Sequence, residues 1–207
     1  MICLADNDVV FKLAACDLLD RALDVLGLSR EHVFVLNTTK YQLQKKRSRE
    51  RLEAKYGVDG IARALEFVLS VNEIDSQQNA DDLAALSIVE NIDSGEAVIF
   101  ATAKRLSDSI LLMGDKRSLR ALSSADSCIN ICDCLKARVI CFEQILRLIC
   151  AADFDGAKHT IIAALECDTM LRIVFSRTLN ATLDGVNEGL DSYISDLRND
   201  TGELLIF

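Results

Sequence analysis

Apolar and polar positions along the chain fall into two rhythms. Residues 1–5 form a short apolar run that stops at Asp6-Asn7-Asp8, the pattern of a buried parallel strand. From residue 10 to 26, Phe11, Ala14, Ala15, Leu18, Leu19, Ala22 and Leu26 recur at three- and four-residue steps. That spacing predicts one helix, with Gly27 placed to end it. Residues 32–36 predict a second strand, and Asn37 and Thr38 cap a helix that stops near Gly57. Asp59 precedes a helix over residues 60–71, with Ile61, Leu65, Val68 and Leu69 on one face. The polar residues 75–79 predict a loop, residues 81–90 a helix, and Ser94 the cap of a helix over residues 95–106. Ser109–Met113 is apolar between polar flanks, a third strand ending at Gly114-Asp115.

This alternation predicts an α/β fold, a parallel sheet flanked by helices. Beyond about residue 126 the character changes. Residues 129–131 suggest one more short strand, and residues 137–151, 156–166 and 183–197 read as helices. The expected organisation is an α/β domain over residues 1–125 and a mainly helical C-terminal extension over residues 126–207. The apolar residues 204–207 are expected to dock on the body. No internal repeat or low-complexity segment is present.

Composition sharpens the picture. Proline is absent from the 207 residues, where average usage would supply about ten, so few segments are forced to break. The N-terminus lacks the basic region and apolar stretch of a secretory signal. No apolar run approaches the roughly 20 residues that span a bilayer. A soluble, cytoplasmic protein without membrane contact is expected. Cys3, Cys16, Cys141, Cys150 and Cys167 lie in apolar stretches, where a free cysteine behaves as a small hydrophobe. Cys128, Cys132 and Cys134 cluster, but a fourth ligand is missing and neither His32 nor His159 is near, so reduced thiols are a better reading than zinc.

The net charge of −9 argues against a generic nucleic-acid binder. The charge is unevenly spread, however. Lys40, Lys45, Lys46, Arg47, Arg49, Arg51 and Lys55 face only Glu50 and Glu53 across residues 40–55, a local excess of five. Such a strip is either a solvated helix face or a set of phosphate contacts.

In a parallel α/β sheet, ligands bind outside the carboxyl ends of the strands. The first strand ends in Asp6 and Asp8 and the third in Asp115, while Glu96 opens the helix that feeds the third strand. Taken singly, each acid fits a helix cap or a turn. Together they converge on one end of the sheet. Crowded carboxylates repel and their pKa values rise, which a hard cation such as Mg²⁺ or Mn²⁺ relieves.

Leu4-Ala5-Asp6-Asn7-Asp8-Val9-Val10 resembles the opening strand of a PIN domain. Gly95-Glu96-Ala97-Val98-Ile99-Phe100-Ala101-Thr102-Ala103 resembles its acid-led helix, and Ile110-Leu111-Leu112-Met113-Gly114-Asp115-Lys116 its closing strand and last acid. The resemblance covers residues 1–125. It implies a metal-dependent ribonuclease of the kind found in toxin–antitoxin modules or RNA processing. Asp6, Glu96 and Asp115 would be catalytic metal ligands, with Asp8 an auxiliary group near the metal. The strip from Lys40 through Lys45, Lys46, Arg47 and Arg49 would hold the RNA backbone. RNA is then the expected partner, and a protein inhibitor or antitoxin and a second copy of the chain in a homo-oligomer are further ones.

One departure stands out. PIN domains carry a further acid early in the helix after the second strand, and here that stretch reads Asn37-Thr38-Thr39-Lys40-Tyr41-Gln42-Leu43-Gln44. Asp81, Asp82 or Glu90 are the candidates to replace it. Two other readings follow. In a haloacid-dehalogenase-like phosphatase Asp6 would be the nucleophile, Asp8 the acid and base, and Asp115 a Mg²⁺ ligand. Leu119 and Arg120 stand where that family needs a second acid. A PIN-like module without catalysis would instead use the helical C-terminus as its partner surface.

Overall fold

A computed structural model describes residues 1–75, 79–176 and 180–206. Five strands, β1 (Ile2–Ala5), β2 (Val33–Val35), β3 (Asn72–Glu73), β4 (Ser109–Met113) and β5 (Val139–Cys141), form one sheet in the order β3-β2-β1-β4-β5. Every pairing is parallel. The architecture is therefore the expected α/β one, a parallel sheet flanked by helices with a long helix near the C-terminus. Among the described residues no helix is long and apolar enough to cross a membrane.

The helices are α1 (Asn7–Ala15), α2 (Leu19–Leu26), α3 (Asn37–Gln44), α4 (Lys46–Tyr56), α5 (Val58–Ser70), α6 (Ala80–Ser87), α7 (Ser94–Arg105) and α8 (Lys116–Ser124). After them come α9 (Ile129–Cys134), α10 (Phe142–Ala152), α11 (Phe154–Ala163), α12 (Thr169–Val174) and α13 (Leu183–Thr201). They cover both faces of the sheet. Cys3 and Ala5 of β1 point into one core while Leu4 points into the other, as the two-residue period of a strand dictates.

Several elements differ from the sequence expectation. The single helix over residues 10–26 is two helices. Asp17 adopts φ 56° between them, and the Leu18 and Asp17 amides donate to the Leu13 and Ala14 carbonyls in a Schellman-type end. The apolar period runs through the break because both halves bury the same side. The basic helix is likewise split, with Lys45 in extended conformation between α3 and α4. Asp93, rather than Ser94, caps α7.

The expected strand at residues 129–131 is part of α9, and the fifth strand is Val139–Cys141, inside the stretch read as helix. A three-residue buried run at the head of an apolar helix has no period of its own to reveal it. β3 is two exposed polar residues and carries no apolar signal at all.

The fifth strand lies beyond residue 125, and both cores draw on residues from either side of that boundary. Leu204 and Leu205 are buried, and the Ile206 amide donates to the Val139 carbonyl at 2.9 Å, so this end of the chain docks beside β5. Phe207 and most of the expected loop at residues 75–79 lie outside the described residues. The five cysteines assigned to apolar stretches are all buried.

Candidate functional site

The sheet order places its switch point between β1 and β4, where neighbouring strands lead to helices in opposite directions. Asp6 follows β1 directly and its amide donates to the Leu112 carbonyl of β4 at 3.0 Å. Gly114 and Asp115 follow β4. A methyl group at Gly114 would stand 2.5 Å from the Val9 nitrogen and 2.6 Å from Asp8 Oδ2, so only glycine lets the end of β4 abut α1 this closely.

A cavity of about 630 Å³ opens at these strand ends, and Asp6, Asp8, Glu96 and Asp115 all line it. The four acids named from sequence thus meet. Their surroundings divide them into two pairs.

Asp6 caps α1, its carboxylate accepting from the Asp8 amide at 3.3 Å. It is 6% exposed. Burial, reinforced by the charges of Asp8 and Glu96, pushes its pKa up to about 7. Glu96 is the third residue of α7 and closes a capping box with Asp93, each side chain accepting from the other's amide at 2.8 Å. Burial raises its pKa to about 7, against the hydrogen bond from the Asp93 amide and the nearby Ser118 hydroxyl, which itself donates to the Asp115 carbonyl. Neither Asp6 nor Glu96 is ion-paired to a cation among the described residues.

Asp8 and Asp115 do have cations. Asp8 Oδ2 lies 2.6 Å from Lys12 Nζ, and its Oδ1 accepts from the Tyr56 hydroxyl at 2.9 Å. Lys55 stands 3.6 Å from the same oxygen. Asp115 caps α8 and is gripped by Arg117, whose Nη2 is 2.6 Å from Oδ2. Burial works to raise the Asp115 pKa, but the Arg117 bonds outweigh it and hold the carboxyl below its usual range. Among the described residues no three His, Cys, Asp or Glu side chains stand together as a metal-ligand set. Of the four acids named from sequence, the two that no cation holds are Asp6 and Glu96. That pair suits Mg²⁺, which commonly takes one or two carboxylates and fills its other positions with water and phosphate oxygens.

No acid takes the place left open early in α3. There the Thr39 hydroxyl is fully buried and donates to Asn7 Oδ1 at 2.5 Å. Asp81, Asp82 and Glu90 do not line the cavity, and Asp82 pairs instead with Lys104 at 2.6 Å. The further acids at its wall are Asp75 and Asp93.

The basic strip is placed less simply than its sequence suggests. Helices α3 and α4 contribute Asn37, Thr38, Gln42, Leu52 and Tyr56 to the cavity wall, and none of the strip's cations. Lys40 pairs with Glu73 at 2.6 Å and Arg49 with Glu53 at 2.7 Å. Lys45, Lys46 and Arg47 are exposed. A second cleft of about 640 Å³ adjoins the first through Asp8 and Asp115, and Lys12, Lys55, Lys116, Arg117 and Arg120 line it. Sequence reasoning missed Lys12, Tyr56 and Arg117. For Lys12 a signal existed, a lysine four residues after Asp8 on an otherwise apolar helix face.

Fold and cleft together define a doubly wound α/β protein with an acidic site at its switch point. Compared with known proteins, the chain matches no family model, no curated protein and no solved structure.

Proposed function

We propose that this chain is a metal-dependent endoribonuclease of the PIN-like type, working in the cytoplasm. The observation that carries this reading is the pair Asp6 and Glu96. These are two buried carboxylates lining one cleft, both with pKa values raised to about 7 and neither ion-paired to a cation. Such a pair is stabilised by a divalent ion. The three sequence motifs, whose acids line this cleft, support the same class.

In this reading Asp6 and Glu96 hold Mg²⁺ or Mn²⁺. The ion would supply charge neutralisation at a phosphodiester and a more acidic water for attack on phosphorus. The chain's own residues do the rest. Asp93 fixes Glu96 through the capping box, and the Asp8 amide fixes Asp6. Lys55 and Arg117, in the adjoining cleft, are placed to exchange their partners Asp8 and Asp115 for backbone phosphates, while Lys116 stays on the buried Glu143. A phosphatase role for Asp6 would require Asp8 to shuttle a proton, a poor task for a carboxylate engaged by both Lys12 and Tyr56.

The test is cleavage of a labelled single-stranded RNA with Mn²⁺ or Mg²⁺ and then with EDTA, for wild type and Asp6→Asn. Metal-dependent cleavage lost in the variant is expected. Folded protein that leaves the RNA intact would sink the proposal. A phosphomonoesterase assay on the same sample would then separate a phosphatase from an interaction module.

A further inference from the structure

Lys12 is a cation at the back of Asp8: it lines the adjoining cleft and pairs with the carboxylate that both clefts share. It stands one turn beyond Asp8 on α1, among Val9, Val10, Phe11 and Leu13, and is only 8% exposed. Its ammonium lies 2.6 Å from Asp8 Oδ2 and 2.7 Å from Asp168 Oδ2, and donates to the Gly114 carbonyl at 3.2 Å. The ammonium, which has three N–H groups to offer, is thus surrounded by two carboxylates and a carbonyl. They come from three separate parts of the chain: α1, the turn after β4, and the residue that caps α12. A surface lysine swings freely, but this one is locked on every side. Asp8 is locked with it, since its other oxygen accepts from the Tyr56 hydroxyl.

An ammonium fixed against Asp8 does two things. It satisfies that carboxylate, so Asp8 gains little from an ion. It also repels any second divalent cation that approaches the same corner of the cleft. Resting on the metal-dependent reading above, we infer that Lys12 is a positioning residue, a built-in counter-cation that withdraws Asp8 from the ligand set and leaves Asp6 and Glu96 to hold one divalent ion. Asp168 keeps Lys12 in place, which makes the chain beyond residue 125 a working part of the site.

Mn²⁺ titration of the full chain near pH 7.5, read by the electron spin resonance of free Mn²⁺, tests this. Wild type is expected to bind one ion. Lys12→Met is expected to bind Mn²⁺ about tenfold more tightly or to take a second ion, because Asp8 Oδ2 is freed while Tyr56 and Lys55 stay on Oδ1. Adding Asp8→Asn to Lys12→Met should return binding to the wild-type level. Lys12→Met leaves the part-buried Asp168 without its cation. The double variant Lys12→Met/Asp168→Asn therefore removes that orphan charge and serves the same test if the single variant does not fold. Two ions in wild type, or one ion bound equally well without Lys12, would overturn the inference and leave the nuclease reading standing. No Mn²⁺ bound by wild type or variant would overturn both.

Discussion

Arg117 reaches back two residues to grip Asp115, its Nη2 2.6 Å from Oδ2 while its own amide donates to Oδ1 at 2.8 Å. The arginine side chain is 76% exposed, so the pair adds little to stability. It nevertheless occupies a carboxylate that the sequence motif assigns to a metal.

Replacing that arginine separates the two roles. Arg117→Ala is expected to leave the melting temperature within about 2 °C of wild type. Mn²⁺ affinity should rise several-fold, because Asp115 then lines the cleft without a competing cation. Calorimetric titration beside a thermal melt checks both. Weaker Mn²⁺ binding would mean that Arg117 orders Asp115 for the ion instead of competing with it.

The raised carboxyls make a pH signature. Asp6 and Glu96 titrate at about 7 in the folded protein and near 4 in an unfolded chain. Between those values the folded state binds more protons than the unfolded one, so stability falls as pH rises through this window. The metal-free protein should melt several degrees higher at pH 5 than at pH 8, and Mn²⁺ should recover much of the loss at pH 8. Asp6→Asn keeps an oxygen to cap α1 and should flatten the slope. The carboxylates with lowered pKa values, Asp115 and Asp168, lose their stabilising pairs only below pH 4, outside this window. A melting temperature that climbs from pH 5 to pH 8 would refute the crowded site.

What could be read from sequence follows from what leaves a periodic trace. β1, β4 and α7 are long enough, and flanked sharply enough, for apolar runs to end on the acids they present. Asp6, Glu96 and Asp115 were therefore legible as neighbours. β3 and β5 were not, since one is two exposed polar residues and the other merges into the apolar head of α10. The break after Ala15 was hidden because the left-handed turn falls at an aspartate rather than a glycine. The partners that divide the four acids depend on side-chain direction. Arg117 curls back on its own helix cap, and Asp168 reaches Lys12 from 156 residues away. No spacing rule encodes such a meeting.

The basic strip offers a test of its own. Lys45, Lys46 and Arg47 are exposed where α3 gives way to α4. If RNA crosses this surface on its way to the cleft, reversing all three to glutamate should lower affinity. It should also reduce the salt slope by about two, given roughly 0.7 counterions per single-stranded phosphate contact. Fluorescence anisotropy across a salt series measures both. An unchanged slope would assign the strip to solvent and leave Lys55 and Arg117 of the adjoining cleft to meet the backbone.

Arg138 allows fold and site to be separated. Its guanidinium donates to the carbonyls of Ala103 and Leu106 near the end of α7, to Ser109 at the start of β4, and to Cys134 at the end of α9. The Ala103 and Cys134 carbonyls are ones that helix ends leave behind, and one forked side chain reaches them at the end of the sheet opposite the cleft. Lysine has the charge but not the fork. Arg138→Lys is therefore expected to cost on the order of 1–2 kcal/mol and Arg138→Ala about 3 kcal/mol, with the part-buried carbonyls of Ala103 and Ser109 short of a donor. Neither change touches Asp6, Glu96 or Lys12, so Mn²⁺ affinity of the folded fraction should stay within about twofold of wild type. Denaturant melts and Mn²⁺ titration on the same samples give the comparison. A large loss of Mn²⁺ binding with little loss of stability would show that the two ends of the sheet are coupled through β4, and that the cleft depends on how that strand begins as well as on how it ends.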